Sequence, residues 1–274
     1  AQLADYILPG DAWLERNALA DGFGWTSIQR PSQQAVQPPG ECRGVFDFWR
    51  ELALRFDMGA HFPWADHDQL LDHRVAEVAS SFSSFAEQHA YHMGTLEFRK
   101  YEKTGFATPS GKVELESSVL NDLGFDALPY WRDAPVADAD YPLTMIIGVR
   151  EDEFFQTGHR HIPALRNRRP EPVMFITAQD ASSIGLNEGD WATVYTAQGE
   201  VKLKTSVRDD MPVGVIRVPH GWWLPERAEG DGSLSGARDH ADAQISPDDD
   251  AHLDAEQGIP HLKGIACAVK LWRG

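Results

Sequence analysis

The sequence predicts a mixed α/β segment followed by an all-β barrel or sandwich, and three observations carry that prediction. Residues 45–56, VFDFWRELALRF, place Phe46, Trp49, Leu52, Ala53 and Phe56 at helical spacing, the mark of an amphipathic helix. From Tyr141 onward the apolar residues come instead in short runs rich in β-branched side chains, separated mostly by Gly, Asp and Asn turns: PLTMIIGV, PVMFITA, WATVYTA, EVKLKTSV and GVIRVPHG. With 274 residues, 42% hydrophobic and 24% charged, the chain can bury one large core or two moderate ones.

Taken in order, the opening residues AQLADYILPG lack the basic start of a signal peptide. Tyr6–Leu8 reads as a strand leaving a core, stopped by Pro9-Gly10, so the chain is expected to begin in the middle of a larger fold. A helical turn at Trp13/Leu14, a turn within DGFGW and a Pro-rich polar run precede the helix of residues 45–56. A second helix is expected from Gln69 to Phe82, capped by Asp66 or Asp68. The stretch GFATPSGKVELESSVLNDLGF predicts a turn at Pro109–Gly111, an alternating strand through Val113 and Leu115, and a short helix ending at Gly124. AQDASSIGLNEGD holds one short helix with Asp180 as N-cap and a turn at Asn187–Asp190. Residues 226–256 carry ten acids and two Arg among Gly and Ser, which predicts a long surface loop, before IPHLKGIACAVKLW returns as a buried closing strand. The division expected is 1–60 for the end of an α/β domain, 61–140 for a helical connector and 141–274 for the β domain.

Composition restricts the function. With 42 Asp+Glu against 25 Lys+Arg, a formal charge of -17 and a pI near 4.9, binding to phosphate backbones or anionic lipid is opposed, which argues against a nucleic-acid partner. No stretch approaches the roughly 20 apolar residues that span a bilayer, so a soluble chain is expected, in cytoplasm or periplasm alike. Cys42 and Cys267 are too few for a disulfide scaffold or a self-contained iron–sulfur cluster.

Several motifs fail on inspection. GFATPSGK has one spacer residue too many for a phosphate loop, and Val113 stands where a magnesium-binding hydroxyl belongs. GSLSG at 232–236 has Leu234 where a nucleophilic Ser would sit. His89/His92 and His159/His161 could share a face, yet neither pair has a third metal ligand nearby. The richest chemical signal is GVREDEFFQTGHRHIPALRNRRP, which concentrates Arg150, Arg160, Arg166, Arg168 and Arg169 beside Gly148, Gln156, Thr157 and Gly158. Such a strand-exit loop suits phosphate, and it is equally a basic loop paired with the surplus acids. PHGWW at 219–223 ends another strand with a donor, a flexible Gly and two indoles.

The order of segments, LADYILPGDAWLER, PPGECR, TGFATPSGKVEL, GVR with FFQTGHR, GLNEGDWATVYTAQGEV and PHGWWLPE, resembles the C-terminal portion of the dimethyl sulfoxide reductase family of molybdopterin oxidoreductases. Within the family the style is most similar to the branch of thiosulfate and polysulfide reductases, acetylene hydratase and phenylacetyl-CoA oxidoreductase. The resemblance implies a mixed α/β remnant followed by an all-β double-psi β-barrel-like domain that binds a bis-molybdopterin guanine dinucleotide with Mo or W and closes the active-site funnel. It places Gly148, Arg150, Gln156, Thr157, Arg160, His220, Trp222 and Lys263 at the cofactor. A pyrophosphate calls for N–H groups and Arg forks, and a pterin for convergent donors.

Two positions depart from the family. Asp239, His240 and Asp242 stand where relatives have an Asn-containing stretch, and an Asn-x-Glu-Gly-Arg pattern is missing around Ser27 to Arg30. The family's metal ligand and cluster cysteines have no equivalent in this chain. The N-terminal catalytic portion or subunit, and an iron–sulfur electron-transfer subunit, are therefore the partners implied, and the chain alone is not expected to be active. The other functional class that fits is a stand-alone binding or assembly module with the same barrel and no turnover.

Overall fold

The computed structural model describes residues 2–21, 28–95, 97–131, 139–149, 151–227, 232–250, 252–254 and 256–273. They form two compact units, Leu3–Val113 and Glu114–Gly274. The turn expected within DGFGW and Arg150 lie outside the described residues.

The first unit contains β1 (Ala18–Asp21), β2 (Ile28–Ser32), α1 (Val45–Arg55), α2 (His67–Val75), α3 (Phe82–Gln88), β3 (His92–Met93) and α4 (Tyr101–Thr104). The strands form an antiparallel sheet in the order β1-β2-β3. Pro31 is tolerated in its central strand because β3 pairs only with Ile28 and Gln29, leaving Pro31 with one neighbour, Leu19. Leu71, Val75, Phe82 and Phe85 are buried here.

Three expectations for this part are corrected. Tyr6–Leu8 is unpaired and exposed, and the nearby chain makes a bridge between Gly10 and Arg43. The single helix expected over 69–82 is two helices. Asp66 caps α2 by accepting the Gln69 N–H at 2.8 Å, and a new start at Ser81 accepts the Ser84 N–H at 3.1 Å while Asp72 accepts the Phe82 N–H at 2.7 Å. These side chains satisfy the free donors of a second helix start, so the chain turns between. Val113 and Leu115 are exposed and belong to no strand. The helix at 45–56 forms as expected, but of its residues only Ala53 is buried; Trp49 and Phe56 are 53% and 69% exposed.

The second unit contains α5 (Ser118–Asp122), β4 (Leu143–Val149), α6 (Pro163–Arg166), β5 (Val173–Ile176), α7 (Ala178–Ile184), β6 (Trp191–Tyr195), β7 (Glu200–Val207), β8 (Val215–Pro219), α8 (Ala237–His240) and β9 (Lys263–Leu271). Six strands close a barrel in the order β4-β8-β5-β7-β6-β9. Two neighbour pairs, β4 with β8 and β5 with β7, are parallel, and the other four are antiparallel. Alternate residues point inward and are fully covered: Met145 and Ile147 of β4, Met174 and Ile176 of β5, Val201 and Leu203 of β7, Ile216 and Val218 of β8. Each buried side chain of this size contributes about 1.5–3 kcal/mol, so the interior is the main stabilising element.

The cap of α7 is Thr177, one turn before the residue expected. Its Oγ1 accepts the Asp180 N–H at 3.1 Å and donates to Asp180 Oδ2 at 2.7 Å, a reciprocal capping pair; Asp180 Oδ2 also accepts the Gly214 N–H at 2.8 Å. A larger correction concerns 226–256. Residues 235–247 are not a solvated loop: α8 and the 3-10 turn Asp242–Gln244 lie on β7, with Ala241, Asp242 and Ile245 buried. Ala237, Ala241 and Ile245 recur every four residues among the acids, and Thr196 donates to the Ile245 carbonyl at 3.0 Å.

Two predictions follow from this burial. Burial pushes the Cys267 thiol up to about 12, while Cys42 is partly exposed. At pH 8 a thiol reagent should label Cys42 alone in the native chain and both cysteines in denaturant; rapid native labelling of Cys267 contradicts the closed barrel. His240 donates from Nδ1 to the Lys202 carbonyl at 2.7 Å, and burial holds its imidazole below the ordinary 6.5. The unfolded chain therefore takes up a proton that the folded chain refuses. The contribution of this site is complete above about pH 6.5 and declines as the pH falls through the lowered folded value. Thermal midpoints measured from pH 7.5 downward should show that loss, and His240→Gln should flatten it.

Candidate functional site

Because β4 and β8 run parallel, their C-terminal ends leave the barrel at the same end. Ile147 pairs with Val218 and Val149 with Pro219, so Gly148 is the extra residue of a bulge, at φ 98° where a side chain would be strained. Lys263 opposes Ile146 across the neighbouring β4–β9 ladder, beside a second register shift, and is exposed at this end. Topology thus brings Gly148, Lys263 and the β8 exit together.

The loop after β4 is fastened to the β8 exit by Arg160. This guanidinium is 1% exposed, donates from Nε to the Gly221 carbonyl and from Nη2 to the His220 carbonyl, both at 3.2 Å, and sits in the corner made by two edge-to-face rings, Phe154 at 4.4 Å and Trp222 at 4.1 Å. Burial pulls its pKa down to about 10, against the opposing charges of Glu151 and Asp242. Arg160 Nη1 and Trp222 Nε1 are buried donors with no hydrogen-bond partner among the described residues. Both residues expected at the cofactor are therefore structural centres of the loop as well.

Gln156 and Thr157 sit at the exposed tip, in a tight turn closed by the Gly158 N–H on the Phe155 carbonyl at 2.8 Å. Gln156 and His159 adopt φ of 52° and 72°, conformations that side chains rarely take. Trp223 Nε1 donates to the Thr157 carbonyl at 2.7 Å, and Gly221, at φ 69°, comes so close that a Cβ there would lie 2.8 Å from Thr157 Cγ2 and 3.3 Å from Thr157 N. Asp242 accepts the Gly221 N–H on Oδ1 at 2.7 Å and His220 Nδ1 on Oδ2 at 2.6 Å. Gln156, Thr157, Arg160, His220 and Trp222 are thus brought to one place. Asp242, Gly221, Trp223 and Phe154 complete it.

Of the remaining loop arginines, those described are paired with acids. Arg169 meets Glu151 at 2.6 Å and Glu153 at 3.7 Å, Arg168 meets Glu153 at 3.8 Å, and Arg166 meets Glu226 at 2.9 Å. Burial raises the Glu151 carboxyl above its ordinary value, and Arg169 and then Arg160 partly offset it. Such Glu–Arg pairing has a signal in EDE directly before the basic run. His89 and His92 form an edge-to-face pair beside Phe85, and no group of three metal-ligating side chains occurs among the described residues.

Comparison with known proteins gives a consistent picture. The model of the molydopterin dinucleotide binding domain matches residues 144–249, and that of molybdopterin oxidoreductase matches residues 1–55. Acetylene hydratase of Syntrophotalea acetylenica is 40% identical over 96% of this chain and 37% of its own length. Dopamine dehydroxylase of Eggerthella lenta is 31% identical over 81% of this chain and 30% of its own. The solved structure of acetylene hydratase from Pelobacter acetylenicus superposes with a TM-score of 0.91 at 39% identity, over 98% of this chain and 38% of that one. The chain spans 30% to 38% of the length of these relatives.

Arg160→Met keeps the stacked volume and leaves two carbonyls without their donor, which costs about 2–4 kcal/mol on the scale of buried polar losses. Urea unfolding should show that loss, while Arg168→Met, at a side chain that is 70% exposed and 3.8 Å from a Glu153 that Arg169 also faces, leaves the midpoint nearly unchanged. Equal midpoints for the two variants would remove Arg160 from its central position.

Proposed function

The chain belongs to the dimethyl sulfoxide reductase family of molybdopterin oxidoreductases, and from that premise we propose that its barrel is a double-psi β-barrel that holds part of a bis-molybdopterin guanine dinucleotide, with Mo or W, and closes the funnel to the metal. In this reading the dinucleotide-binding domain begins near residue 141, after an α/β remnant at 1–60 and a connector at 61–140. The two parallel pairs, β4/β8 and β5/β7, each flanked by antiparallel neighbours, support the double-psi description.

The observation that carries the reading is the fastening of the 151–160 loop onto the β8 exit. It collects a Gln amide, a Thr hydroxyl, backbone N–H groups and an imidazole around a glycine that admits no side chain. Those donors and acceptors fit a pyrophosphate and a polar heterocycle. The unpartnered buried donors of Arg160 and Trp222 lie beside the same exit. We assign Gln156, Thr157 and His220 to direct contact, Gly148 and Lys263 to the adjoining β4 rim, and Arg150 to the loop between. Arg160 and Trp222 hold the frame. When bound, the cofactor supplies the redox-active metal and its dithiolene ligands. This chain orients the dinucleotide, excludes water and places charge.

In this proposal the metal ligand and any iron–sulfur cluster come from other segments or chains. The exposed Trp49 and Phe56 of α1 are apolar surface suited to such a segment. The isolated chain is then inactive and metal-poor.

Gly221→Ala and Gly258→Ala, compared in the complete enzyme, test the site. Both residues have positive φ, but only at Gly221 would the new Cβ meet a neighbour. Guanine dinucleotide content per chain should fall several-fold in Gly221→Ala and stay unchanged in Gly258→Ala; Thr157→Ser in the first background, which deletes the clashing methyl, should restore part of it. Equal content in all variants overturns the assignment.

A further inference from the structure

His220 and Asp242 carry an inference about tautomer that the family assignment does not contain. The His220–Gly221 segment is held from two sides. Arg160 bonds its two carbonyls, and Asp242 bonds its donors, the Gly221 N–H and His220 Nδ1. Asp242 is 4% exposed, comes from the 3-10 turn that follows α8, and uses one carboxylate oxygen for each bond. An ionised carboxylate only accepts hydrogen bonds, so His220 must carry its proton on Nδ1. Holding the backbone turn needs only the Gly221 bond. The second oxygen is committed to the ring at 2.6 Å, although the His220 side chain remains one-third exposed. Nε2 has no hydrogen-bond partner among the described residues.

We propose that Asp242 is a positioning residue that fixes the His220 ring as the Nδ1–H tautomer and so presents Nε2 as a hydrogen-bond acceptor to an N–H edge of the bound pterin. A carboxylate that orients an imidazole through its distal nitrogen determines which nitrogen meets the ligand. A pterin ring edge is rich in N–H donors, and the pyrophosphate that joins it to the guanosine has none, so an acceptor here suits a heterocycle and not the phosphates. The inference rests on the assignment of the β8 exit to the cofactor.

Two substitutions in the complete enzyme separate tautomer from structure. Asp242→Asn keeps an oxygen for the Gly221 N–H but offers an NH2 to Nδ1, which forces the ring proton onto Nε2. His220→Asn keeps an NH2 at the position of Nδ1 for Asp242 and deletes Nε2. Nitrogen-15 spectra of histidine-labelled enzyme should show Nδ1–H for His220 in the wild type and Nε2–H in Asp242→Asn. Guanine dinucleotide content per chain should fall roughly three- to tenfold in both variants, the range for losing one hydrogen bond, with thermal midpoints near the wild type. Full cofactor content in either folded variant, or a ring that keeps Nδ1–H in Asp242→Asn, overturns the proposal. If Asp242→Asn does not fold, the content of His220→Asn decides alone. A wild-type enzyme without dinucleotide refutes the site assignment itself, whereas a loaded wild type with equally loaded variants refutes only the tautomer.

Discussion

A guanidinium cannot be taken out of water cheaply, and the β8 end of this barrel is arranged around one that has been. Arg160 forms no direct ion pair with Glu151 or Asp242, which act on it through the field. Its hydrogen bonds go to the main chain of His220 and Gly221, and two aromatic rings lie within cation–π distance of its charge. This demands that carbonyl groups be turned inward at the end of β8, that Phe154 and Trp222 meet edge to face to form a corner for it, and that the connecting loop return across the barrel end. Removal of one partner leaves either a buried charge or bare carbonyls.

That constraint explains why the arginine count was an ambiguous guide. Five arginines in twenty residues suit phosphate and suit acid pairing equally, and the structure divides the four that it describes. Arg166, Arg168 and Arg169 neutralise Glu226, Glu153 and Glu151, and Arg160 is internal. The groups at the accessible tip are the neutral Gln156 and Thr157, with His220 beside them. Charge concentration located the loop, while its chemistry depends on side chains that no count singles out.

The barrel strands were legible because inward and outward residues alternate from Met145 to Ile147 and again through β7 and β8, and one-face burial imposes that period directly. Less legible features depended on contacts between distant segments. Residues 235–247 looked solvated because they lie within 226–256, a stretch with ten acids, yet Ala241 and Ile245 cover β7, and Asp242 is buried because it has Gly221 and His220 to bond. The strand β2, with Gln29, Arg30, Pro31 and Ser32, has no apolar pattern to announce it and is defined by its neighbours. The capping pair of Thr177 and Asp180 was present in the sequence as T-x-x-D, and the more familiar aspartate drew attention one turn too late.

The closing strand has a bearing on how such a barrel is made. β9 is hydrogen-bonded on one edge to β4, some 120 residues earlier, and on the other to β6. Until residues 263–271 have left the ribosome, the five preceding strands form an open, curled sheet with two unsatisfied edges and an uncovered row of Met, Ile and Val. At elongation rates of about 5–20 residues per second that interval lasts several seconds, long compared with hairpin formation in microseconds. Assembly of this region is therefore paced by translation, and a nascent chain paused before β9 is a natural client for a chaperone.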